Sequence, residues 1–210
     1  MVTEKDIKNN ESRATFAIRL LKKIEREREN KQLDILELGT GDGELFSRLL
    51  DLKYNLYCID VKIPKALKKY RIKKHDLNKG LPFEDNSFDV VIGLEVLEHL
   101  FNPFEMMKEI KRVLKSGGSA IISMPNTDSV FSRIGQIYEK RFDQLDPYWH
   151  HYQPSVKSII NLVNTSLNVK EKIFISTFRR LSWLNWILDI LVKINTEKFS
   201  GDFMVLARKD

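Results

Sequence analysis

Glu37 lies one residue before the end of an apolar run, 33–38, and that run is followed at once by Gly39, Gly41 and Gly43. A helical pattern starts near Glu44. Glycine at such a turn lets the backbone come within contact distance of a ligand, because a Cβ would clash. The helix that follows aims free N–H groups at whatever lies there. The pattern predicts a nucleotide-type pocket at the mouth of a strand. It is not the dinucleotide pattern, in which G-x-G-x-x-G receives a pyrophosphate; here the third glycine comes one residue earlier. Glu37 would also repel a phosphate, whereas it suits a ligand that brings positive charge. Further acids stand where other strands are expected to end: Asp60, Asp76 and Glu95. Asp60 is placed to accept hydrogen bonds from ribose hydroxyls, and Asp76 one from an adenine amine. Either residue type also serves as an ordinary strand-end turn or cap. Glu95, Glu98 and His99 are spaced i, i+3, i+4 at an expected helix start. Two carboxylates and an imidazole on one helix face can bind a divalent cation. The same spacing serves capping and packing, and no metal is the preferred expectation.

These residues need a scaffold that brings strand ends together. Phe16, Ala17, Leu20, Leu21 and Ile24 make one apolar stripe on a helix over 12–29. The spacing then predicts strand 33–38, helix 44–52, strand 55–60, a proline-started turn or helix at 64–69 and a short strand at 70–75. Residues 81–87 are turn chemistry, and 88–94 is an apolar strand of the kind buried on both faces. Helix 103–114 is expected to carry Phe104, Met107, Ile110, Val113 and Leu114 inward. Ser116-Gly117-Gly118 is expected to stop it, before a strand at 119–124. Helix 155–167 and strand 169–177 follow. Strands alternating with helices at this spacing mean βαβ units and a parallel sheet, whose ligands bind beyond the carboxyl ends of the strands. Glu37, Asp60, Asp76 and Glu95 are therefore expected to converge on one crevice.

Composition limits the alternatives. The chain has 210 residues, 42% hydrophobic and 30% charged, which fits one soluble domain over 1–210. Cys58 is the only cysteine, so no disulfide forms within the chain, and it is expected as a small buried hydrophobe. Residues 1–10 are polar without an apolar h-region; with the lone cysteine, this leads us to expect a cytoplasmic protein. The net charge of +6 owes much to the basic stretch 62–74, expected as a solvated face. Only Tyr70 interleaves it, so no stacking platform for single-stranded nucleic acid is indicated.

With 36–43, Asp60, His75-Asp76-Leu77, 81–94 and Glu95-Val96-Leu97-Glu98-His99-Leu100 in view, the chain resembles a class I S-adenosylmethionine-dependent methyltransferase. The run LPFEDNSFDVVIGLEVLEHL resembles the ubiquinone-biosynthesis type and its small-molecule relatives. RVLKSGGSAIISMPN resembles that family's helix, turn and fifth strand, and 201–209 its last antiparallel strand. The resemblance implies a Rossmann-like α/β fold, with a seven-stranded, mostly parallel sheet, an antiparallel last strand and helices on both faces. It implies S-adenosylmethionine as cofactor, whose sulfonium and ammonium match the charge expected opposite Glu37. By resemblance, Glu37, Gly39, Gly41 and Gly43 hold the methionine part, Asp60 the ribose, and Asp76 and Leu77 the adenine. Glu95 then lies beside the cofactor.

Substrate selection is expected after Asn126, in a lid segment over 127–153. There Asp146-Pro147-Tyr148-Trp149-His150 resembles one branch of the family, and His150 aligns with its histidine above the cofactor. That histidine would act in catalysis, as base or as hydrogen-bond partner of the substrate. Residues 181–194 read as an inserted apolar helix, too short for a bilayer, which needs about 20 residues. Burial in the domain or in a homodimer is expected for it, with a lipid-like substrate or a peripheral membrane contact as the other occupants. Together the residues predict methyl transfer to a small, hydrophobic organic acceptor by a monomer or homodimer. The alternatives are a metal-assisted RNA 2′-O- or protein methyltransferase, with nucleic acid the less favoured partner, and a non-catalytic cofactor-binding subunit.

Overall fold

The computed structural model describes residues 12–29, 32–70, 72–130, 155–175, 195, 198 and 200–210. A helix, α1 (Arg13–Glu27), leads into β1 (Asp34–Leu38), α2 (Glu44–Asp51), β2 (Asn55–Asp60), β3 (Ile72–Lys74) and β4 (Phe88–Leu94). Then come α3 (Pro103–Val113), β5 (Leu114–Pro125), α4 (Val156–Asn164), β6 (Asn168–Ile175) and β7 (Asp202–Arg208). The strands form one seven-stranded sheet in the order β3-β2-β1-β4-β5-β7-β6. β1 pairs parallel with β2 and β4, β2 with β3, and β4 with β5. β7 runs antiparallel between β5 and β6. The chain thus leaves β1 in one direction through β2 and β3 and returns to its other side with β4. That reversal opens a crevice at the carboxyl ends of β1 and β4.

Helix ends have local causes. Ser12 caps α1, its Oγ accepting from the Thr15 N–H at 3.4 Å. Asn102 caps α3, accepting from the Glu105 N–H at 3.2 Å, with Pro103 in the first turn. The apolar strands are covered on both faces. Phe16, Leu20, Leu21 and Ile24 of α1 pack with Val90, Ile92 and Ile121. On the opposite face Met107, Ile110 and Val113 of α3 and Ile159 and Leu162 of α4 pack with Leu36, Val91 and Ile122. Alternate residues of β4 therefore serve opposite layers, which explains its unbroken hydrophobicity.

Three expectations change. Ser116-Gly117-Gly118 does not separate α3 from its strand: β5 starts at Leu114. The pairing with β4 steps from Phe88↔Leu114 to Val90↔Ser119, and Gly117 at φ 69° lies within that irregularity. Phe104 is 46% exposed, and Met106 takes the inward place beside Met107. The expected strand 70–75 shrinks to Ile72–Lys74, an edge strand whose Lys73 and Lys74 face solvent, a charged edge that discourages strand pairing with other chains. No described helix is long and apolar enough to cross a membrane. The lid beyond Val130, with His150 and His151, and the segment 181–194 lie outside the described residues.

Candidate functional site

The glycine turn is built by its neighbours. A Cβ on Gly39 (φ 69°) would stand 2.7 Å from Val96 Cγ2, and one on Gly43 (φ 87°) 2.8 Å from Leu67 Cδ1. At these two positions the close approach is made by the protein itself. A Cβ on Gly41 would meet nothing within 4 Å, so Gly41 is the glycine whose backbone a ligand can approach. Asp60, at the end of β2, holds the turn. Its Oδ2 accepts from the Thr40 hydroxyl and the Gly41 N–H, both at 3.1 Å, and its Oδ1 from the Lys62 N–H at 2.8 Å. A carboxylate offers about four acceptor positions. With three engaged, Asp60 is first a clamp, with room for about one more donor.

Glu37 lies within β1 and is 3% exposed. Its Oε2 accepts from the Cys58 thiol at 3.4 Å. Loss of hydration raises its pKa to about 7, opposed by that hydrogen bond and assisted by the Asp60 charge. The thiol is pushed up too, by burial and then by Glu37, so Cys58 is an inert buried donor, as expected. A buried carboxylate with so weak a partner gains from a cation placed against it.

Asp76 and Leu77 begin a 3-10 turn, and the Asp76 Oδ1 accepts from the Asn78 N–H at 3.0 Å and its side-chain amide at 3.1 Å. These bonds hold its pKa below the usual carboxylate value. The turn joins both sides of the crevice. The His75 N–H donates to the Asp60 carbonyl at 3.0 Å, and Asn78 Oδ1 accepts from the Phe101 N–H at 2.9 Å.

Glu95 follows β4 in the left-handed region, φ 55°. Its N–H donates to the Ser123 carbonyl and Oγ at 3.1 and 3.2 Å, and the Ser123 hydroxyl donates to its Oε1 at 2.8 Å. Its Oε2 is 3.6 Å from Arg13 Nη1, which donates to Asp202 Oδ2 at 2.9 Å. Burial, then the Asp202 charge, raises the Glu95 pKa against the pull of Arg13. Glu98 is fully buried, and neither of its oxygens has a hydrogen-bond partner among the described residues. Burial and then Glu95 raise its pKa further above the carboxylate range.

The helical face expected for Glu95, Glu98 and His99 is not formed. The helix there is a single 3-10 turn, Leu97–His99, and Glu95 precedes it in a left-handed kink. Three residues per turn do not gather i, i+3 and i+4 on one face. Among the described residues no group of three or more His, Cys, Asp or Glu could hold a metal ion. In all, the structure brings Glu37, the glycine turn, Asp60, Asp76, Leu77 and Glu95 to one edge of the sheet. Sequence reasoning missed Thr40, Arg13, Ser123 and Asp202. Thr40 had a signal, lying inside the glycine motif; Arg13 and Asp202 meet across almost the whole chain and had none.

Comparison with known proteins agrees with this geometry. Residues 36–122 match the family model of a methyltransferase domain. A Mycolicibacterium smegmatis protein named a probable S-adenosylmethionine-dependent methyltransferase is 33% identical over 98 residues, 44% of this chain and 38% of that protein. A ubiquinone biosynthesis O-methyltransferase of Rickettsia bellii is 35% identical over 102 residues, 45% of this chain and 42% of its own. The chain spans about half the length of the curated relatives it matches. The crystal structure of an S-adenosylmethionine-dependent methyltransferase from Archaeoglobus fulgidus superposes with a TM-score of 0.61 at 19% identity, over 91% of this chain and 94% of that one; this likeness concerns the fold.

Proposed function

We propose that the chain, whose residues 36–122 match a methyltransferase-domain family model, is a class I S-adenosylmethionine-dependent methyltransferase and transfers a methyl group from S-adenosylmethionine to a small organic acceptor. One observation carries the reading: Glu37, the Asp60-clamped glycine turn and Glu95 share the crevice where the sheet order reverses. The residues fit the cofactor. Glu37 is a buried carboxylate in want of a cation, and Gly41 leaves its backbone open to a ligand. The cofactor, when bound, supplies a methyl group already activated by a sulfonium. Glu37 then faces the positively charged methionine part, Asp60 has one acceptor position for a ribose hydroxyl, and Asp76 with Leu77 borders the adenine. The remaining task of the chain is to hold donor and acceptor in line and to exclude water, the alignment being the larger part of the rate.

A hydrophobic acceptor is the favoured class. The Rickettsia relative's name and the apolar run 181–194 support it, and His150 is proposed beside the acceptor. Calorimetric titration with S-adenosylmethionine, followed by S-adenosylhomocysteine release against a panel of phenols, quinols and amines, tests the reading. A folded chain that binds neither cofactor nor product would instead be a non-catalytic subunit.

A further inference from the structure

Glu95 has an uncommon backbone for its residue type. A non-glycine residue in the left-handed region costs of order 1–3 kcal/mol and persists only where its surroundings impose it. Here they can be named. Ser123 of β5 takes its N–H, and the next residue, Val96, is wedged against Gly39 of the glycine turn. From the kink the carboxylate reaches the Ser123 hydroxyl and comes near Arg13, which is joined to Asp202 at the start of β7. Glu95 thus stands between the turn proposed to hold the methyl donor and the β5–β7 side left for an acceptor. Its side chain is 19% exposed, whereas Asp202 is 7% exposed and bonded directly to the guanidinium. Glu98 lies in the same cluster, fully enclosed with both oxygens unpartnered among the described residues. Of these three carboxyls, Glu95 alone combines exposure with a loosely held oxygen.

On the premise of the methyl-transfer reading, we propose that Glu95 receives the proton of the acceptor's reacting atom, and that Arg13 is the residue that positions it. The acceptor is then a hydroxyl or an amine, not a carbon. The balance closes without a further reactant. The acceptor oxygen or nitrogen forms a bond to the methyl carbon as the carbon–sulfur bond breaks. The electron pair of that bond goes to sulfur, and the acceptor's proton goes to Glu95 Oε2. The groups that set the proton affinity of Glu95 come from every neighbouring element. Arg13 of α1 lowers it, Asp202 of β7 raises it, Glu98 of the 3-10 turn adds a like charge when ionised, and the Ser123 hydroxyl of β5 favours the carboxylate.

The test reads S-adenosylhomocysteine release with a catechol, a phenol, a primary alkylamine and an active-methylene carbon acid, against pH. The wild-type chain is compared with E95Q, R13K, R13A and H150Q. The proposal expects turnover of an oxygen or nitrogen probe and a loss of about 100-fold or more in kcat in E95Q. Binding of S-adenosylhomocysteine to E95Q, within about threefold of wild type, shows that the variant is folded and its donor site intact. Wild-type kcat rises along an acid limb placed above the ordinary carboxylate range, and E95Q lacks the limb. R13A moves the limb to higher pH, and R13K largely restores it, which a merely structural arginine would not do. A wild-type kcat in E95Q overturns the proposal. So does a limb that disappears in H150Q instead, turnover of the carbon acid alone, or activity lost to EDTA and restored by Mg²⁺. A wild-type chain that binds no S-adenosylhomocysteine overturns the methyltransferase reading itself. Binding without turnover of any probe overturns the small-acceptor reading, and this proposal with it.

Discussion

Replacing Glu37 by glutamine separates the two things a buried carboxylate does, destabilising the free fold and preparing a site for a cation. The folded-state pKa of Glu37 is raised to about 7, from 4.5 in the unfolded chain. A carboxyl raised in this way contributes stability that is fully present below the unfolded value and lost as pH rises through the folded one. Each pH unit between the two values is worth about 1.4 kcal/mol, so the full loss is about 3 kcal/mol, reached above about pH 7. Solvent screening takes little from this, because the side chain is 3% exposed. Glutamine cannot ionise. It keeps the shape, and its carbonyl can still accept from Cys58, but its amide brings a fixed penalty if it finds no acceptor. That offset does not vary with pH, so the slope is the clean observable. Denaturant unfolding of both proteins at about pH 5 and about pH 8 should show the stability difference moving in favour of Glu37→Gln by about 2–3 kcal/mol. Glu95 and Glu98 titrate in both proteins and cancel in the difference. The cofactor should bind the variant more weakly, and wild-type affinity should rise with pH up to about 7, as the bound cation draws the proton from Glu37. A difference that stays flat between the two pH values would refute the reasoning, since Glu37 would then be ionised in the free fold.

Asp60→Ala should weaken cofactor binding by about 1–3 kcal/mol in calorimetry, and should also loosen the turn, seen as faster amide exchange at Gly41, because the same carboxylate holds Thr40 and Gly41. Gly39→Ala should destabilise by roughly 1–2 kcal/mol from its positive φ alone, with a further part from contact with Val96; adding Val96→Ala should return only the contact part, so a double variant as stable as Val96→Ala alone would contradict the φ argument. Arg112→Ala should cost about 1–3 kcal/mol in thermal or denaturant unfolding, because that guanidinium ties Glu109, Asp85 and the carbonyls of Leu81 and Phe83 into the loop before β4; a neutral result would mean the loop is held by Phe83, Phe88 and Tyr57 packing instead.

How far the sequence could be read follows from the range of the forces involved. β4 keeps the bounds that its apolar run predicts, since burial on two faces leaves an unbroken local signal, and β2 keeps its own although Asn55 and Tyr57 are exposed. Glu37, Asp60, Asp76 and Glu95 could be placed on one edge because parallel strands put their carboxyl ends together, a rule of connectivity that needs no coordinates. Which atoms those carboxylates touch is set by contacts distant in sequence. Asp60 reads as a ligand residue, yet its oxygens are turned to Thr40, Gly41 and Lys62. The Glu95–Glu98–His99 spacing reads as a helix face only if the helix is α and begins early enough; one 3-10 turn and a left-handed kink leave Glu95 and Glu98 within electrostatic reach of each other but form no shared helical face with His99. Phe104 fits an inward stripe by spacing, but a helix turned slightly about its axis offers Met106 instead, and periodicity cannot set that angle. Arg13 and Asp202 carry no signal at all, being ordinary surface residue types in sequence. A guanidinium shared between a first helix and a last strand exists only after the sheet has closed. The glycine-turn side of the crevice is therefore the legible side, built from one loop and its adjacent strands, while the Glu95 side is assembled from both ends of the chain.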